Sequence, residues 1–253
     1  MSRIKPKTDE EIEKMRRAGR LVGQVLQIVK EEAEPGVTTG HLDEIAETYF
    51  REHGGRPAFK GYQGYPATLC TSINEEVVHG IPGERELKDG DILSVDAGVF
   101  IDGYAGDAAV TVLVGNCSDE ARKLVDVTKK SLERAIEVIR PDVPVGEISR
   151  AVQKEVEKNG FNVVRKYTGH GIGKELHQPP QVPNFIAGRR TPRRPVLPEG
   201  TTVAIEPMVD VGNGKTKVLS DGWTVVTAEG GLSAHFEHTM AVTAHGADVL
   251  TVP

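Results

Sequence analysis

The chain has 253 residues, 38% of them hydrophobic and 27% charged, which suits a globular protein in water with enough apolar material for a buried core. A formal net charge of −6 argues against a general nucleic-acid binder, so DNA is not expected among its partners. The first twenty residues carry no apolar signal core, no apolar run approaches a membrane span, and Cys70 and Cys117 make no disulfide framework; a reducing cytoplasm is the expected compartment.

Apolar residues at helical spacing (Ile12, Met15, Ala18, Leu21, Val22, Val25, Leu26, Val29) predict a first helix from about Thr8 to Glu34, opened by a Thr8/Glu11 capping box. After Pro35-Gly36 a second helix is expected from Thr39 to His53, closed by Gly54-Gly55. Residues 57–82 read as loop and short strand, rich in glycine and aromatics. Then comes LKDGDILSVDAGVFIDGYAGDAAVTVLVG, residues 87–115: two β-branched runs joined at Asp102-Gly103, the signature of a hairpin with a two-residue turn. That register sets Gly98 opposite Asp107 and makes Asp96 the diagonal neighbour of Asp107 on the same face. Two further helices are expected near Asp119–Ile139 and Val145–Asn159. After these come a strand Thr201–Asp210 through Glu206, a segment Val218–Thr227 turning at Asp221-Gly222, and a strand Ser233–Thr243 with His235 and Glu237 on one face.

The second half repeats the first. Pro35, Val37, Gly40 and Gly54 match Pro141, Val143, Gly146 and Gly160 at one constant offset; His79-Gly80-Ile81 recurs as His170-Gly171-Ile172, and Asp96 falls on Glu206. The expected organisation is a single domain over residues 1–253, with halves at about 8–115 and 118–245 that each end in acid-bearing strands. A duplicated unit of this kind builds a shared site near its pseudo-two-fold axis.

Ionisable residues inside apolar strands or Gly-rich turns are Asp96, Asp107, His79, His170, His177, Glu206 and Glu237. Taken singly, each acid has a bland reading as a strand-end or turn residue. Together, four converging carboxylates repel one another, and two divalent cations remove the conflict. Carboxylates with one imidazole suit Mn, Fe(II), Co or Zn in a two-metal hydrolytic site better than a structural zinc. His41, His53 and His245 read as surface histidines. Phe59, Tyr62, Tyr65 and Trp223 are read either as packing or as a pocket for an apolar side chain. Arg189–Arg194 reads as a solvated loop, with a contact to a ribosomal RNA surface as the alternative.

The segments GYPATLCTSINEEVVHGIP, SVDAGVFIDGYAGD, YTGHGIGKELHQPPQVPNF, AIEPMVD, DGWTVVT and SAHFEHTMAV resemble, in that order, the type I methionine aminopeptidases of metallopeptidase family M24. The resemblance implies a "pita-bread" α/β fold: a central antiparallel sheet with flanking helices and internal pseudo-two-fold symmetry. It implies two divalent metals on Asp96, Asp107, His170, Glu206 and Glu237, and hydrolytic removal of the initiator methionine from nascent polypeptides whose second residue is small. By the same resemblance Glu206 is the general base, His177 stabilises the oxyanion and His79 hydrogen-bonds near the scissile amide. Phe59, Tyr62, Tyr65, Cys70 and Trp223 enclose the methionine side chain, and Asn74, Glu76 and Ser233 mark a monovalent-cation site. A monomer that meets the ribosome only transiently is expected.

Some positions depart from the family pattern. Phe59 stands where many relatives carry cysteine, Leu176 where an aromatic is common, Gly98 where a polar residue is frequent, and Ala108 where threonine is usual. All five expected metal ligands persist, which disfavours a non-enzymatic relative of the same fold. The alternative activity is cleavage of X-Pro bonds by a same-fold metallopeptidase; those enzymes usually carry an added N-terminal domain, for which a chain of this length starting at the first helix leaves no room.

Overall fold

The computed structural model describes residues 4–186 and 195–253; the Arg189–Arg194 cluster lies outside the described residues. Among the described residues four α-helices flank the sheets: α1 (Asp9–Glu32), α2 (Thr39–Glu52), α3 (Asp119–Glu137) and α4 (Val145–Lys158). Each lies within about two residues of its expected bounds, because capping and glycine signals govern helix ends locally. The Thr8 hydroxyl accepts the Glu11 N–H while the Glu11 carboxylate accepts the Thr8 N–H, the expected capping box.

Among the described residues the main sheet has nine strands. From one edge, Arg56–Pro57, Ile92–Ile101, Tyr104–Leu113, Glu237–Thr243, Thr202–Ile205, Gly169–Gly171 and Gln178–Val182 run antiparallel to their neighbours; Leu69–Ile73 joins on Ile92–Ile101 and Gly246–Val249 on Glu237–Thr243. The two halves therefore meet at the middle of the sheet, where Glu237 pairs with Ala109 and His238 with Ala108.

Burial follows the duplication. α1 and α2 cover the first half with a core that includes Leu21, Val25, Phe50, Leu93 and Val95; α3 and α4 cover the second around Leu124, Val152, Val203 and Met240. Helix α1 sits so close to the hairpin that a Cβ on Gly106 would lie 2.6 Å from the Gly19 amide nitrogen, so only glycine lets the two backbones touch. A third, smaller cluster lies between the halves and contains Phe59, Tyr65, Cys70, Ile172 and Leu176. His41, His53 and His245 are exposed, as expected.

The hairpin has its expected register: Ile101 opposes Tyr104, Gly98 opposes Asp107, and Asp102 and Gly103 take the left-handed angles of a primed turn, φ 50° and 79°. Two expectations need correction. Thr201–Asp210 is not one strand but two, Thr202–Ile205 in the main sheet and Met208–Asp210 in a three-stranded sheet. Ser233–Thr243 is likewise broken, into Ser233–His235 and Glu237–Thr243. The breaks coincide. Pro207 has no N–H to give the ladder, and the Phe236 N–H bends to its carbonyl at 3.3 Å. Pairing continues in step on both sides: Ile205 opposes His238 and Met208 opposes His235. Glu206 and Glu237 therefore stand directly opposite each other across the gap. Val218–Thr227 turns at Asp221-Gly222 as expected, with Thr216–Val218 paired to Val225–Thr227 as a hairpin.

Candidate metal centre and adjoining pocket

Each half delivers a pair of acids. From the unbroken hairpin, Asp96 and Asp107 point to one face as diagonal neighbours, and their carboxyls meet in hydrogen-bonding range. From the broken strands come Glu206 and Glu237, and His170 joins from Gly169–Gly171, paired with Ala204. The His170 Nε2 lies 3.6 Å from Glu206 Oε1, 3.7 Å from Asp107 Oδ2 and 4.0 Å from Glu237 Oε1. Its Nδ1 sits 3.0 Å from the Gly171 carbonyl, which takes the ring's N–H and leaves the Nε2 lone pair facing the acids. Asp107 is clamped across the junction of the halves: its N–H donates to the Thr239 hydroxyl at 3.1 Å, and that hydroxyl donates to the Asp107 carbonyl at 2.8 Å. The Asn184 amide donates to the Glu206 carbonyl at 2.9 Å and holds the broken strand.

Electrostatics make this arrangement unstable by itself. Burial pushes the Asp96 carboxyl up to about 7, against hydrogen bonding to Asp107 and to the Ala97 backbone, which lowers it. Burial and then the neighbouring acids push Asp107, Glu206 and Glu237 well above the usual carboxylate range. Burial holds the His170 imidazole down, to about 4. Asp96 Oδ1, Asp107 Oδ1 and Glu237 Oε1 are buried with no hydrogen-bond partner. Unpaired buried oxygens cost free energy that a cation recovers, and ligand atoms of Asp107, His170 and Glu237 all lie within 4.8 Å of one another. A donor set of carboxylate oxygens and one imidazole nitrogen fits divalent cations.

A cavity of about 220 Å³ opens beside the acids. Asp96, Asp107, His170, Glu206 and Glu237 line it together with His79, His177, Phe59, Tyr62, Tyr65, Cys70 and Trp223, so every residue expected in the site meets at one place. Tyr65 is anchored by its hydroxyl, which donates to the carbonyls of Leu69 at 3.0 Å and Gly80 at 2.9 Å; Trp223 packs edge-on at 5.1 Å between ring centroids. The Tyr62 hydroxyl and His177 Nδ1 are 2.9 Å apart, and the His177 ring lies 4.3 Å from that of His170. His79 has a left-handed backbone, φ 62°, an uncommon conformation for a bulky residue and a common mark of functional strain. Burial pulls its imidazole down to about 4 and lowers that of His177 also. Burial raises the Cys70 thiol, which is therefore an apolar wall and not a nucleophile.

The cavity also includes Tyr167 and His235, which the sequence reading did not place in the site. His235 was visible as a face-mate of Glu237, two residues earlier on a strand. Tyr167, three residues before His170 in an irregular segment, had no periodic signal to find it by. The expected monovalent-cation residues do come together, since the Ser233 N–H donates to the Asn74 carbonyl at 2.8 Å. Their side chains are committed elsewhere: Asn74 to Asp91 and Ile92, Glu76 to Ile73 and Arg85, and Ser233 to Val209.

Paired halves, a shared acidic centre and a side-chain-sized pocket together define a metal-dependent hydrolase. Residues 13–244 match metallopeptidase family M24. The methionine aminopeptidase of Clostridium perfringens is 50% identical over 246 residues, 97% of this chain and 98% of that protein. The crystal structure of the Thermotoga maritima methionine aminopeptidase superposes with a TM-score of 0.96 at 46% identity, covering 99% of this chain and all of that one. A prolidase from Pyrococcus furiosus shares the fold at a TM-score of 0.77, but at 22% identity and over 65% of its length. The chain belongs to metallopeptidase family M24 and, within it, to the methionine aminopeptidases. Its fold is the pita-bread fold, and no helix among the described residues is long and apolar enough to cross a membrane.

Proposed function

We propose that the chain hydrolyses the N-terminal methionine from nascent polypeptides with a small second residue, using two divalent cations held by Asp96, Asp107, His170, Glu206 and Glu237. The observation that supports this reading most is the single cavity in which those five side chains adjoin an aromatic pocket and two neutral histidines. When bound, the cations supply Lewis-acid activation of water and of the scissile carbonyl. Co, Mn, Fe(II) and Zn all suit this donor set.

The protein's own groups do the rest. The methionine side chain enters between Phe59, Tyr62, Tyr65, Cys70 and Trp223, where a thioether makes favourable contacts with ring edges. Glu206 takes the nucleophile's proton at its carboxylate as general base. His177 donates to the oxygen that becomes negative, with Tyr62 on its other ring nitrogen holding the ring in place. His79 hydrogen-bonds near the scissile nitrogen; its strained backbone keeps the imidazole over the pocket edge-on to Tyr167 and Trp223. Residues 1–253 act as one catalytic domain, because each half supplies ligands the other lacks. We place the reaction in the cytoplasm, carried out by a monomer whose contact with the ribosome is transient.

The test compares Met-Gly-Met, Met-Lys-Met and an X-Pro peptide, with and without chelator and with added Mn or Co. Methionine should be released from Met-Gly-Met alone, and only with metal. Cleavage of the X-Pro peptide in its place would move the chain to the alternative activity. Sedimentation of the purified protein should give a monomer.

A further inference from the structure

Gly98 lies two residues beyond Asp96 on the same face of the hairpin and directly opposite Asp107. Its backbone is ordinary strand, outside the left-handed region, so conformation does not call for glycine there. Space does. A Cβ at this position would stand 2.7 Å from Cε1 and 3.1 Å from Cζ of Phe59, and 3.1 Å from the Ala58 Cβ. Carbon atoms at rest keep about 3.5–4.0 Å apart.

Phe59 is held against the strand from several sides. Arg56 and Pro57 pair with Phe100 and Val99, the Ala58 N–H donates to the Gly98 carbonyl at 2.9 Å, and the Phe59 carbonyl accepts the Tyr62 N–H at 2.8 Å. The ring itself is buried in the cluster with Tyr65, Cys70 and Leu176, and its remaining side lines the cavity. A ring displaced from Gly98 therefore moves into the space where the first residue of a substrate would lie.

We propose that Gly98 and Phe59 are a matched pair that sets the width of the specificity pocket. The missing side chain at Gly98 is a slot in which the Phe59 ring lies against the acid-bearing strand. The seated ring leaves room for an unbranched, methionine-sized side chain and excludes an aromatic one. Gly98 thus determines specificity without touching substrate, by deciding where Phe59 stands. The proposal rests on the aminopeptidase reading above for its substrate, while the slot itself is a packing statement independent of activity.

Two readouts separate these levels. In the metal-loaded protein, Gly98→Ala should lower the melting temperature far more in the wild-type background than in a Phe59→Ala background, since Phe59 is the nearer of the two partners in the clash. If Gly98→Ala does not fold while Gly98→Ala/Phe59→Ala does, the slot is equally supported. Failure of both to fold, or a loss of stability undiminished in the double variant, overturns it. The kinetic arm uses Met-Gly-Met and Phe-Gly-Met. Gly98→Ala should cut kcat/KM for Met-Gly-Met by at least about tenfold, chiefly through KM, and Gly98→Ala/Phe59→Ala should recover most of it. Phe59→Ala should raise the Phe-Gly-Met to Met-Gly-Met ratio by about tenfold or more. Manganese affinity measured by calorimetry should stay within about twofold in Gly98→Ala; a larger loss means that Gly98 serves Asp96 rather than the pocket, and overturns the proposal. A wild-type chain that releases no methionine refutes the aminopeptidase reading, whereas one that does so beside an uncoupled Gly98/Phe59 pair refutes only this inference.

Discussion

The two halves bring acids to the centre in different ways. In the first, an unbroken ladder from Ile92–Leu113 places Asp96 and Asp107 diagonally on one face through the two-residue period, and the Thr239 hydroxyl fixes the Asp107 backbone from across the junction. In the second, both strands leave the main sheet together at Glu206-Pro207 and at Phe236, and the acids face each other directly where regular pairing is interrupted. Directly opposed like charges are the less stable arrangement. The two halves therefore agree in bringing an acid pair to the centre and differ in the strands that carry it. At its break the second half is held by the Asn184 amide on the Glu206 carbonyl, where the first half has continuous pairing.

The largest expected effect asks whether the halves are equal partners in the site. Asp107→Asn and Glu237→Gln should each lower kcat/KM for Met-Gly-Met by about a thousandfold or more, with circular dichroism unchanged. A loss confined to one half would reduce the shared site to a one-sided one. Next, His177→Ala should lower kcat by about a hundredfold with a small change in KM, as removal of a donor to a developing oxyanion does. Asn184→Ala touches only the second half, and should weaken metal binding by about tenfold while leaving the hairpin's amide exchange intact. An equal gain in exchange along Ile92–Leu113 would erase the distinction drawn between regular and clamped acids.

The smallest effect concerns pH. With its carboxyl raised to about 7 from an ordinary 3.8, metal-free Asp96 binds a proton in the folded state that the unfolded chain does not hold between those values. The metal-free protein therefore gains stability as pH falls through 7 and loses it as pH rises. Cation binding needs ionised carboxylates, so its contribution grows with pH. Both trends act together, and a chelator should lower the melting temperature by several degrees more at pH 8 than at pH 6. Burial also depresses His79, His235 and His238, to about 4, 3 and 4, which favours the folded state at higher pH. Comparing loaded with chelated protein at each pH cancels that contribution. Equal shifts at the two pH values would mean that the acids are less buried than their packing indicates.

Much of this was legible in one dimension because it is local or periodic. Capping at Thr8 and the glycines after α2 and α4 mark helix ends within a turn, and Asp102-Gly103 with strict alternation defines the hairpin's register and hence its acid pair. The repeat announced two halves and a common centre, and the residues expected there from the quoted motifs line one cavity. The breaks at Glu206-Pro207 and Phe236 escaped notice because a strand changing sheets looks apolar on both sides of the change; Pro207 alone hinted at it. Tyr167, Asn184 and the dependence of Phe59 on Gly98 were invisible for one reason. Each is defined by a neighbour distant in sequence and adjacent only after the sheet has closed. Sequence alone determined the class of elements, the duplicated plan and the chemical identity of the site's donors, since propensity, patterning and residue type act at short range. Tertiary structure alone decided that Glu206 faces Glu237, that buried acids are left unpaired, and how wide the pocket is. Those depend on distances between segments that only packing brings together.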